Sequence, residues 1–162
     1  MSVIEQWSEF HVAMVGATAA LAGLVIVAAS VNISEIVTSR TLTARLLAGI
    51  AALLLALSVS ALGLVPGIDD TWFGALTIIA TLIAAAFQAN ATWLIARDPS
   101  PADRAKPLKY VVGFLPIVAY LAAGAAVLWQ HPSGMYLAAV GCVLAVVSAV
   151  VVSWVALVEV LR

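Results

Sequence analysis

Few side chains here are equipped for chemistry, and most of those lie beside breaks between apolar stretches. Glu9 and His11 stand at the start of the first stretch, Asp69 and Asp70 lie between the second and third, and His131 interrupts the last. Imidazoles and carboxylates gathered at one end of a bundle are the donors that zinc or copper takes. Their spacing shows no ligand motif, so the expectation is a solvated polar rim without metal or cofactor. Cys142 is the single cysteine and has no partner for an intrachain disulfide, so a buried, inert thiol is expected. No nucleophile elbow, zincin, phosphate-binding loop or dinucleotide motif occurs. No Asp, Glu, Lys, Arg or His is expected near the membrane midplane, which argues against proton pumps, ion-coupled transporters and voltage sensors. Without two histidines inside the apolar core, bis-histidine haem is also disfavoured. The chain is read as no enzyme, with no small-molecule substrate.

The elements that must position these residues follow from solvation. Of 162 residues, 65% are hydrophobic and 9% charged, well outside the range of soluble domains. Residues 10–34, 46–68, 71–96 and 110–158 contain no Asp, Glu, Lys or Arg. About 20 apolar residues make one membrane-spanning helix, and Gln130-His131-Pro132-Ser133-Gly134 divides the longest run in two. The sequence therefore predicts an all-α integral membrane bundle, a single domain over residues 1–162, with five transmembrane helices at about 9–32, 43–65, 71–97, 109–130 and 134–160. Pro66-Gly67 ends the second helix, Asp69 and Asp70 suit the N-terminus of the third, and Asp98-Pro99-Ser100-Pro101 ends it. The acidic leading segment and long first run argue against a signal peptide. All seven Lys and Arg residues (Arg40, Arg45, Arg97, Arg104, Lys106, Lys109 and Arg162) fall on one side of a five-span topology. The positive-inside rule makes that side cytoplasmic and puts the N-terminus outside. Trp7, Trp72 and Trp129 then mark the outer interface, and Trp93 and Trp154 the inner one. Little chain remains for a soluble domain or for nucleic-acid binding.

Inside the membrane the informative features are small and polar residues. Ala13, Gly16, Ala20, Gly23 and Ser30 share one face of the first helix, interrupted by Val27. Such seams let backbones approach closely in lipid, and packing against another helix of the same chain is the expectation. The other reading is a self-association surface or a pore lining. The third helix carries Gly74, Thr77, Thr81, Ala84, Gln88 and Thr92 as a stripe, while Asn90 points about 200° away from Gln88 and needs a second partner or interface. Tyr120, deep in the fourth helix, is expected to bond to a group such as Gln88. Pro116 frees the Val112 carbonyl beside Gly113, which predicts a kink or hinge. Ala138, Gly141, Ala145 and Ser148 form a further seam on the fifth helix.

The opening Trp7-Ser8-Glu9-Phe10-His11, the Val15–Leu24 run, Ser30-Val31-Asn32-Ile33 and the later Leu64-Val65-Pro66-Gly67 resemble a group of uncharacterised small bacterial membrane proteins. Some carry the name of modulators of the membrane protease FtsH, a name that implies seven spans against the five here. The resemblance implies a multi-pass protein of the bacterial cytoplasmic membrane and carries over no catalytic residue. Two functions follow as expectations. One is a non-enzymatic accessory or assembly protein that works through helix contacts in the bilayer, against itself or another integral membrane protein. The other is a homo-oligomeric channel with an acidic external mouth at Glu9, Asp69 or Asp70, lined by either stripe.

Overall fold

The computed structural model describes residues 3–97 and 106–160, apart from the side chains of 106–110 and 155–160. Asp98, Pro99, Ser100, Pro101, Asp103, Arg104 and Arg162 lie outside the described residues, as do the side chains of Lys106, Lys109 and Glu159.

Uncharged, alanine- and leucine-rich runs leave the backbone one way to satisfy itself in hydrocarbon, and that is helix. A 3-10 turn at Glu5–Trp7 leads into α1 (Ser8–Val31), followed by α2 (Ile33–Thr38), α3 (Arg40–Leu62), α4 (Asp70–Arg97), α5 (Lys106–Leu128) and α6 (Gly134–Val160). Five of these helices are long and apolar enough to cross a membrane, the pattern of a multi-pass membrane protein. The short α2 is new. Asn32 leaves α1 at φ −112°, and seven residues later Ser39 caps α3 by accepting from the Leu42 amide at 3.3 Å. The Thr43 hydroxyl donates to the Ile36 carbonyl at 2.8 Å and ties α2 to α3. This capped start puts the second spanning helix three residues earlier than the apolar pattern alone predicts.

The far end of α5 stops by geometry rather than by proline. Gln130 sits at φ +53°, its amide donates to Val127 at 2.9 Å, and the His131 amide donates to Ala126 at 2.8 Å. That pair of bonds is a Schellman ending with glutamine where glycine is usual. The helix therefore closes two residues before the predicted boundary. Gly67, at φ +69°, makes the corresponding left-handed step between α3 and α4.

Helices α3, α4, α5 and α6 form a closed ring in which each packs on the next and α6 returns to α3. Helix α1 lies outside, against α3 and along the edge of α6. In its most apolar stretch 11% of residues are buried, compared with 50% in α3. Helices α4 and α5 approach closely where Gly74 and Gly124 meet. A Cβ added at Gly74 would lie 3.0 Å from the Gly124 carbonyl, and one at Gly124 would lie 3.1 Å from the Gly74 carbonyl. Backbones meet there because both residues lack side chains, the form of close packing that membrane helices favour. Ile4, 2% exposed, caps the ring end between Val127 and Met135.

Candidate functional site

The residues expected to share one polar rim do not gather. His131 is exposed and turns to Ser133, with 2.7 Å between Nδ1 and Oγ, while Glu9 and Asp69 are exposed and Asp70 is half-buried. His11, expected at the surface, is buried at 2% exposure. Its position on α1 faces the ring, where its imidazole rests on Gly63 and lies 6.3 Å from the Phe73 ring. Among the described residues no three His, Cys, Asp or Glu side chains come within reach of one metal ion.

The α4 stripe points inward. Gly74, Thr77, Thr81 and Ala84 are buried in the ring, and Gln88 and Thr92 further along are half-buried. Thr81 donates back to the Thr77 carbonyl at 2.6 Å, which satisfies a hydroxyl in hydrocarbon without a partner helix. Gln88 does not meet Tyr120. Its amide fills the notch left by Gly113, where an added Cβ would fall 2.6 Å from Cδ. This brings the amide to the turn of α5 whose Val112 carbonyl Pro116 deprives of its donor. Helix α5 runs unbroken through Pro116, and Gly113 serves to admit a side chain. Tyr120 instead faces Cys142.

The α1 seam corrects a second expectation. Ala13, Gly16, Ala20, Gly23 and Ser30 are all exposed, and a Cβ at Gly16 or Gly23 would meet nothing within 4 Å. The buried line on this helix is His11, Thr18 and Ala22, with Thr18 donating to the Met14 carbonyl at 2.6 Å. By contrast Ala138, Gly141, Ala145 and Ser148 on α6 are buried inside the ring. Sequence patterns alone do not distinguish the two seams, because both are small residues at the same spacing.

Asn90 has the most demanding position. It is exposed on α4 and makes no hydrogen bond among the described residues, flanked by the exposed Ile83, Phe87 and Trp93. Seven residues separate it from Arg97, about 10 Å of helical rise. Arg97 itself lies over the Trp93 ring at 3.8 Å, which anchors that helix end. On α2, outside the spans, the Ser34 hydroxyl donates to Glu35 at 2.6 Å and holds that carboxyl below its ordinary range.

Gly63 and Gly124 were not singled out by the sequence reading. Gly124 sits within Ala122-Ala123-Gly124-Ala125-Ala126, a run of small residues that was the available signal. Gly63 had none. No curated protein and no solved structure matches the chain. One family profile matches residues 1–105, which take in α1 to α4 with His11, Gly63 and Asn90, and the chain belongs to that family, DUF7994, a family of unknown function.

Proposed function

We propose that this protein is a non-enzymatic accessory component of the bacterial cytoplasmic membrane. It acts by docking its outward helix faces against another integral membrane protein or a second copy of itself. Asn90 carries the reading. A carboxamide on the outside of an apolar span has no water to bond to, and a helix in another chain is the partner open to it. The exposed small-residue face of α1 supports the same reading, since neither Gly16 nor Gly23 is needed by the fold. The N-terminus is outside and the C-terminus cytoplasmic in this proposal, because every Lys and Arg falls on one side of five spans.

The test is association of the full chain in lipid nanodiscs, by mass and by crosslinking in native membranes. Interhelical bonds contribute about 0.6–2 kcal/mol, so Asn90→Leu is expected to weaken association about 3- to 30-fold. The fold should be unaffected, because Asn90 has no hydrogen-bond partner among the described residues. A partner-free monomer, or association indifferent to both Asn90→Leu and Gly16→Leu, would refute the proposal.

A further inference from the structure

Towards one end of the bundle α1 and α6 part, and a groove opens between them. Deeper in the span they are joined through α3, where Ala22, Leu53 and Ala149 are buried in one cluster. Past that cluster the groove encloses about 250 Å³, with Leu24 and Ala28 of α1 on one side, Val150 and Trp154 of α6 on the other and Leu46 of α3 between them. One group in this apolar lining is polar. Ser153 is 7% exposed, and its hydroxyl has no hydrogen-bond partner among the described residues. Other hydroxyls on the spanning helices turn back on their own backbone: Thr18 donates to Met14 at 2.6 Å, Ser30 to Ile26 at 2.8 Å and Thr81 to Thr77 at 2.6 Å. Ser153 makes no such bond to Ala149, which leaves one donor for an occupant of the groove.

The depth of this donor narrows its acceptor. Ser153 lies nineteen residues into α6 and Ala28 twenty residues into α1, about 28 and 30 Å of helical rise. A hydrocarbon core is about 30 Å thick, so both stand where hydrocarbon gives way to headgroups. Trp154, beside Ser153 and exposed, is the kind of ring that settles at that level. The acceptors that a bilayer offers there are the ester carbonyls of its glycerophospholipids. Volume narrows the occupant as well. A helix is about 10 Å across, and two turns of one fill about 800 Å³, well beyond the groove. An extended acyl chain is narrow enough to enter, and its chemistry matches the walls.

We propose that this groove binds one glycerophospholipid, an acyl chain lying between α1 and α6 and its ester carbonyl accepting from the Ser153 hydroxyl. The lipid completes the contact of α1 with the ring where that helix reaches only the edge of α6. The site is independent of docking at Asn90 and of which side of the membrane is cytoplasmic.

The test is native mass spectrometry of the full chain released from vesicles of ester-linked phosphatidylcholine or of its ether-linked analogue, which keeps headgroup and chains but lacks the carbonyl. The wild type should retain one ester-linked lipid about 2- to 10-fold better than the ether-linked one, the effect of a single hydrogen bond. Ser153→Ala should abolish that preference and leave retention of the ether lipid unchanged. Equal retention of the two lipids by the wild type, or a preference that survives Ser153→Ala, overturns the proposal. A phosphatidylcholine with a diazirine in the upper half of one acyl chain gives a second reading. Crosslinks should concentrate on Leu24 and Val150, and labelling spread evenly to the exposed Ile79 and Ile83 of α4 overturns the proposal. A dimer retained without lipid and crosslinked through Leu24 or Val150 puts a second copy in the groove, and overturns it too.

Discussion

Replacing Gly63 with alanine tests how the ring end is built. The Gly63 backbone is ordinary right-handed helix, at φ −65° and ψ −14°, so alanine meets no conformational penalty. The penalty is steric. The new Cβ would lie 2.5 Å from both Cδ2 and Nε2 of His11 and 2.8 Å from Cε1. Ordinary contact begins near 3.4 Å, so the ring must retreat about 0.9 Å. It has little room to do so, being 2% exposed with Phe10 and Phe73 rings 6.0 and 6.3 Å away. Overpacking of this kind costs about 1–3 kcal/mol. At about 2–4 °C per kcal/mol for a chain of this length, Tm in detergent should fall by about 2–12 °C. Gly16→Ala, with nothing within 4 Å of the new methyl, should leave Tm unchanged or raise it. The decisive measurement is the double-mutant cycle. On a His11→Ala background the space is open, and Gly63→Ala should cost nothing, giving a coupling of about 1–3 kcal/mol. If Gly63→Ala costs the same on both backgrounds, or nothing on either, the packing of His11 on Gly63 is not what closes this end.

Two further outcomes follow from the same geometry. Gly124→Leu should cost about 3 kcal/mol and loosen α4 from α5, because a new Cβ would lie 2.7 Å from Ile78 Cγ1 and 3.1 Å from the Gly74 carbonyl, and the carbonyl cannot rotate away; thermal unfolding and a crosslink between the two helices would show it. Gln130→Gly should raise stability by about 0.5–1 kcal/mol, since it relieves a left-handed backbone without removing either ending bond, and a fall in Tm would contradict the Schellman assignment.

How much of this was legible in the residues differs by element. The number of spans was, because uncharged runs such as 46–68 and 71–96 have no alternative to helix in lipid. Helix ends were less so. Pro66-Gly67 marked the neighbourhood of one end, but the glutamine at 130 gave no sign that it would adopt a glycine conformation. The α2 turn was missed because its six residues are too few to show a helical period. The polar residues were identified individually but paired wrongly. Gln88 went to the Gly113 notch and Tyr120 to Cys142, and helical phase alone contains no information on which helix stands opposite.

By itself the sequence determined how apolar the chain is and how many helices are long enough to cross a membrane, since each is a sum over many residues and insensitive to any one contact. Which faces look inward was decided only by the tertiary structure. Helix α1 is as apolar as its neighbours, so hydrophobicity does not distinguish a protein-facing surface from a lipid-facing one. Packing made that choice: α3 to α6 close on each other through Gly74, Gly124 and Gly141, which left the small face of α1 and Asn90 outside and drew His11 within.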